Sequence, residues 1–312
     1  MSDVKKIATR EGYGIALKEL GELHDDIVVL DADLAGATKT SVFMKAFPDR
    51  HINCGIAEAN MASIAAGLAT CGYVPFISSF AMFATGRAYE QVRNSIGYPH
   101  LNVKVAASHA GISVGEDGAT HQCNEDIALM RGIPEMVVIN PSDDIEAKAA
   151  VKAAYEYEGP VYLRFGRAPV PVINTQADYK FEIGKGITLR QGKDVALIAT
   201  GLLVASALEA AEMLAADGIE ATVINIHTIK PLDKELVVKA AKENGKVYTL
   251  EEHSVIGGLG SAVMECLSEE YPCKVTRIGI QDVFGESGPA AELIEKYGLD
   301  GKSIYEKVKA EM

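Results

Sequence analysis

The sequence predicts an α/β protein of two domains, each a mostly parallel sheet flanked by helices. Three observations carry that prediction. Short apolar, β-rich runs alternate with Ala-rich amphipathic segments through the first half of the chain, the alternation breaks over 168–193, and it then resumes. Alternation of this kind puts helices on both faces of a parallel sheet, because parallel strands need long crossover connections.

In chain order, IVVLDAD (27–33), VPFISSF (74–80), VKVAAS (103–108), MVVINPS (136–142) and VYLRFG (161–166) read as strands. Continuous apolar runs suit strands that are covered on both faces. Between them, NMASIAAGLAT (60–70) and DDIEAKAAVKAAYEY (143–157) read as helices, with Ser142 or Asp143 placed to cap the second. The stretch 168–193 holds two prolines, several turn residues and two short extended runs, and is expected to be a linker ending in a hairpin. The second series comprises DVALIAT (194–200), a helix over LVASALEAAEMLAADG, IEATVINI (219–226), KVYTLEE (246–252), a helix after the GGLG turn at 257–260, and VTRIGI (275–280). The expected division is 1–175 for the first domain and 190–312 for the second.

Composition narrows the function classes. The chain has 312 residues, 48% hydrophobic and 23% charged, which fits a globular protein with a sizeable core. No apolar stretch reaches the roughly 18–20 residues of a membrane helix. The opening MSDVKKIATREGYG lacks the apolar core of a signal peptide, so the cytoplasm is the expected compartment and no membrane partner is expected. Formal net charge is −13 and no Lys/Arg run forms a phosphate-backbone footprint, which argues against nucleic acid. The five cysteines are odd in number and show no CxxC spacing, so they read as reduced, mostly buried thiols.

The chemistry concentrates in a few motifs. In CGIAEANMASIAAGLA (54–69), one carboxylate, Glu58, opens an almost wholly apolar helix. Taken locally, it could simply complement the helix N-terminus, a contribution of about 0.3–1 kcal/mol. The stretch nevertheless resembles the glutamate motif of thiamine diphosphate enzymes of the transketolase group. SSFAMFATGRAYEQVR (78–93) is similar to that family's aromatic segment, and SHAGISVGEDGATHQ (108–122) to its signature. The likeness continues through RGIPEMVVINPSD (131–143), TIKPLD (228–233), LEEHSVIGGLGSAV (250–263) and DVFGESGP (282–289), in order and across essentially the whole chain.

That resemblance implies a role for each of several residues. Glu58 would hydrogen-bond the aminopyrimidine ring of thiamine diphosphate and favour its imino tautomer, a task for a desolvated, positioned carboxylate. Phe80 and Phe83 would stack on that ring, a role compatible with core packing. Asp117 in GEDG would bond a hydroxyl of the donor sugar, and without the family it reads as a turn residue between glycines. His121 would lie beside cofactor and donor as a hydrogen-bonding or proton-transfer group. Arg10, Ser41, His109 and Arg167 would grip a sugar phosphate, since guanidinium groups bind phosphate through paired charge-assisted bonds. Asp33 resembles a family acid near the cofactor, while Asp31 reads as structural. Arg87 receives no role. GGLG lacks the GxGxxG spacing and trailing acid of a dinucleotide loop, and the family's C-terminal domain is mainly structural.

Full-length transketolases hold the diphosphate and its divalent cation through a GDG motif with a later Asn, and this sequence contains neither. No metal ligand is therefore expected on this chain. The resemblance implies a separate diphosphate-binding subunit carrying the cation (Mg or Ca), in an assembly of two of each subunit. The implied activity is transfer of a two-carbon ketol unit between sugar phosphates. A piece of a deoxyxylulose-phosphate synthase or a 2-oxoacid dehydrogenase beta subunit is the alternative. GEDG with His109, and the Arg10/Arg167 pair, favour transketolase.

Overall fold

The larger of two main sheets has seven strands, in the order Thr228–Lys230, Val137–Ile139, Val161–Arg164, Lys104–Ala107, Val74–Ser78, Ile27–Asp31, His51–Asn53. All its pairings are parallel except the antiparallel one made by Thr228–Lys230. In the computed structural model the described residues are 5–176 and 179–312, so the leader before Lys5 and residues 177–178 of the connector lie outside them.

The apolar runs make strands because each face of the sheet is covered. In Ile27–Asp31, side chains alternate between the two faces. Ile27 and Val29 join a core with Tyr13, Leu17, Phe43 and Phe165, built around helices Thr9–Leu23 and Asp144–Glu156. Val28 and Leu30 join a second core with Met61, Ala62 and Ala65 of helix Glu58–Thr70. That second core continues into the other half of the chain through Ile198, Ile224, Leu259 and Val263, so one apolar body backs both sheets.

The smaller sheet runs Val275–Ile280, Val247–Ser254, Val195–Ala199, Ala221–Asn225, Ile187–Arg190, with only the last strand antiparallel. Its far face packs Val195 and Leu197 with Leu214 of helix Leu203–Ala216 and with Ile304 and Val308 of helix Gly301–Ala310. The expected two-domain α/β architecture is thus observed. No helix among the described residues is long and apolar enough to cross a membrane.

Three features depart from the sequence expectations. The connector does not end in a hairpin: Val170–Pro171 pairs with Lys6–Ile7, and Ile187–Arg190 pairs with Ala221–Asn225. The cause is competition for its backbone donors. Asp143 caps helix Asp144–Glu156 through Glu146 N (2.8 Å) and also accepts from the amides of Ile173 and Asn174 (2.8 Å each). Asp233 caps helix Lys234–Asn244 and accepts from Gly186 N at 3.0 Å. Second, Thr228–Lys230 leaves the second series to join the edge of the first sheet. Third, several helices have no counterpart among the expected elements, Lys234–Asn244 and Gly301–Ala310 among them; in Thr9–Leu23 the glycines depress helix propensity. Packing explains all three glycines: a Cβ on Gly12 would meet Asp144 O at 2.4 Å, one on Gly14 would meet Lys39 O at 2.7 Å, and one on Gly21 would meet the Phe43 and Phe47 rings at 2.6 Å.

Candidate active site

The candidate residues gather at the carboxyl ends of the larger sheet's strands, where ligands bind in open α/β sheets. Helix Glu58–Thr70 follows strand His51–Asn53 after a short loop, and Glu58 is its first residue. The Glu58 side chain is buried, and its Oε2 accepts from Arg87 Nη1 at 3.0 Å. A buried carboxylate without a partner is costly, so Arg87 is what compensates Glu58 in this arrangement.

Arg87 reaches Glu58 from the aromatic segment. After strand Val74–Ser78 and Phe80, the chain winds as a π-helix over Met82–Arg87, and Ala88 N bonds Phe83 O at 3.2 Å. Such turns absorb one residue more than an α-helix and recur at functional sites. The Arg87 guanidinium carbon lies 4.8 Å from the Phe83 ring centre.

Phe80 links this corner to a cationic group. Its ring is near-parallel to that of Phe83 at 6.1 Å and stacks on His109 at 3.8 Å. His121 sets its edge toward Phe83 at 5.4 Å and toward Phe80 at 6.3 Å. His109 follows strand Lys104–Ala107 with a φ of +58°, held by Ser108 Oγ on Nδ1 at 2.9 Å, and its Nε2 lies 3.5 Å from Arg10 Nη1. Burial, then Arg10, Arg167 and His121, push the His109 imidazole down to about 3, so the ring is neutral at pH 7. Arg10 also donates to Ala37 O at 2.7 Å. Arg167 donates to Val114 O and pairs with Glu116 at 3.1 Å.

The remaining candidates sit at the rim. Ser41 opens helix Ser41–Ala46 and is half-buried. Asp117 is exposed at the end of the Ile112–Asp117 turn. Asp33 is exposed, adopts a φ of +62°, and accepts from Asn53 Nδ2 at 3.0 Å. Asp31 is wholly buried among Leu34 N (3.1 Å), Thr40 Oγ1 (3.3 Å) and His51 Nε2 (2.6 Å), in keeping with a structural part. The structure therefore brings together Glu58, Phe80, Phe83, His121, His109, Arg10 and Arg167. Among the described residues, Ser41, Asp117 and Asp33 make no side-chain hydrogen bond or ion pair to that group.

The second half of the chain holds the loop that ends in Asp117. Gln122 Nε2 donates to Glu286 O at 2.8 Å, and the Gly118 Cα faces Ser287 so closely that a Cβ would sit 2.4 Å from its Oγ. Glu252 accepts from Ser113 N at 2.6 Å, while its own carbonyl accepts from Arg164 Nη2 at 2.9 Å. Arg164 in turn donates to Asp126 at 2.7 Å. Against the pull of burial, Arg164 and His253 hold the Asp126 carboxyl below its ordinary range. The clue to this network is charge inside apolar runs, Arg164 in VYLRFG and Glu251–His253 in VYTLEEHS. At the GGLG turn the amides of Leu259 and Gly260 are taken by Glu251 (2.6 and 2.8 Å), so this loop's own chain supplies its acceptor. Among the described residues no group of three or more His, Cys, Asp or Glu could hold a metal ion.

Family models match both halves of the chain. The family model "Transketolase, pyrimidine binding domain" matches residues 5–172 and "Transketolase, C-terminal domain" matches 184–304. A putative transketolase C-terminal section from Methanocaldococcus jannaschii is 52% identical, over 97% of this chain and 96% of that protein. Rat transketolase is 39% identical over 97% of this chain but only 49% of its own length. A solved structure described as a split gene transketolase, inactive beta4 tetramer, superposes with a TM-score of 0.89 at 54% identity, covering 98% of each chain.

Proposed function

This chain belongs to the transketolase family, carrying its pyrimidine-binding and C-terminal domains, and from that premise we propose that it is the pyrimidine-side subunit of a two-subunit, thiamine diphosphate-dependent transketolase. It moves a two-carbon ketol unit from a ketose phosphate to an aldose phosphate, in the cytoplasm. The observation that carries the proposal is the junction at Phe80: a buried carboxylate and two ring faces on one side, an Arg–His–Arg group on the other.

The residues present fit the pyrimidine end of the cofactor. Glu58 is desolvated and its carboxylate is directed toward the Phe83 corner, where it can bond a ring nitrogen and hold the proton that sets the ring's tautomer. Phe80 and Phe83 offer near-parallel faces for an aromatic ring. Thiamine diphosphate, when bound, supplies the nucleophilic carbon on which carbon–carbon cleavage depends. His121, at the edge of both phenylalanines, is placed to orient or relay a proton on the donor's oxygens. Asp117, on a rim loop, bonds the donor hydroxyl next to the reacting carbonyl.

Arg10, His109 and Arg167, with Ser41 at the rim, take the phosphate of the sugar. The two guanidinium groups neutralise the dianion, and His109 Nε2 lies beside Arg10 Nη1 at 3.5 Å. The diphosphate and the divalent cation (Mg or Ca) fall to a diphosphate-binding subunit, and two copies of each chain close the assembly.

The deciding experiment is reconstitution. The isolated chain should show no ketol transfer, and adding a diphosphate-binding transketolase subunit with thiamine diphosphate and magnesium should restore it. Normal turnover by this chain, shown by mass spectrometry to be free of any partner, would refute the two-subunit reading.

A further inference from the structure

The Arg87–Glu58 contact uses the same two surfaces that an aminopyrimidine needs. Glu58 is buried and receives Arg87 Nη1 on Oε2 at 3.0 Å, while the guanidinium lies over Phe83 at 4.8 Å. A guanidinium is planar, stacks on aromatic faces and directs N–H groups at carboxylates. An aminopyrimidine shares each of these properties. Arg87 already bridges this ring and this carboxylate, so a pyrimidine seated on the same ring face and the same carboxylate oxygen has to displace it.

We propose that Arg87 is an internal competitor for the pyrimidine seat: it keeps the buried Glu58 compensated until the cofactor ring displaces it into solvent, and so sets cofactor affinity. The inference rests on the thiamine diphosphate reading given above. Displacement is feasible because the Arg87 side chain is 53% exposed whereas that of Glu58 is 2% exposed. The arginine leaves toward water and the carboxylate stays. The π turn Met82–Arg87 carries Phe83 and Arg87 on one segment, which places the guanidinium over the ring. Gly86 beside it leaves room for Met82, whose Cε a Cβ would meet at 2.3 Å.

The test is isothermal titration calorimetry of thiamine diphosphate with magnesium into the reconstituted two-subunit protein. Losing a half-exposed ion pair and a cation–π contact is expected to tighten binding by Arg87→Ala about tenfold. Arg87→Gln, which keeps a planar donor but no charge, should fall between the two. Binding unchanged or weakened in Arg87→Ala, with wild type binding normally, overturns this inference alone. A wild-type pair that takes up no cofactor overturns the functional reading and the inference together. On the isolated chain, thermal denaturation supplies a readout independent of cofactor. Arg87→Ala should lower the midpoint at pH 7 by leaving Glu58 buried and unpaired, and adding Glu58→Gln should recover it. A midpoint equally low in the double variant would show that Arg87 stabilises the fold by other contacts and would also overturn the proposal.

Discussion

At the scale of single residues, Glu58 and Arg167 are the positions that test the two ends of the proposed site, cofactor and phosphate. Glu58→Gln keeps the volume and removes the buried charge, so folding and assembly should survive. Proton exchange at the thiazolium carbon of bound cofactor should slow by roughly 10²–10⁴-fold, the worth of a positioned acid–base group. Quenched-flow NMR of wild-type and variant pairs at equal occupancy reads this, and an unchanged exchange rate would remove Glu58 from its assigned part. Arg167→Ala should raise KM for phosphorylated donors about ten- to hundredfold, since a charge-assisted bond contributes about 1.5–3 kcal/mol. For hydroxypyruvate, which lacks phosphate, KM should barely change; an equal loss on both donors would take Arg167 out of the grip. Every residue of the central cluster was legible in the sequence through its motif except Arg87. Its side chain is defined by a π turn and a contact 29 positions away, neither of which leaves a periodic signal.

At the scale of elements, the sequence revealed strands better than connections. Ile27–Asp31, Val74–Ser78 and Val195–Ala199 announce themselves because burial on both faces demands unbroken apolar runs. Helix Thr9–Leu23 was hidden because close packing required glycine where helix propensity disfavours it. The connector misled for another reason: its two extended runs bond to remote strands and to the two capping aspartates rather than to each other. Asp143 concentrates this effect. Asp143→Ala removes a helix cap and leaves the amides of Ile173 and Asn174 without their acceptor. A stability loss of about 3 kcal/mol is expected in urea titrations, with Asp143→Asn losing clearly less because one acceptor oxygen remains. Equal losses in the two variants would show that the cap and the connector bonds are not what Asp143 contributes.

At the scale of the whole molecule, buried titratable groups at the junction of the two halves make stability depend on pH. His253 is wholly buried, and burial pushes its imidazole down to about 4. An unfolded histidine titrates near 6.5. The unfolded chain therefore binds the proton more readily, and the associated stability is complete above pH 6.5 and is lost as pH falls toward 4. Glu251 works in the opposite direction: burial raises it to about 7, so its contribution is present at low pH and fades as pH rises through that value. The difference between wild type and His253→Gln isolates the histidine. Between pH 6.5 and 4.5 the variant should lose less stability than wild type, by about 1.4 kcal/mol per pH unit; parallel curves would contradict this. The strand Thr228–Lys230 bears on the same junction in a different way. It is contributed by the second half of the chain yet hydrogen-bonded to Val137–Ile139 of the first. A protease cut in the connector would therefore release no free lobe, because the two fragments remain clasped through a shared sheet edge. For the same reason the halves expressed as separate polypeptides should find each other by strand addition, and neither alone offers its neighbour's sheet a complete border.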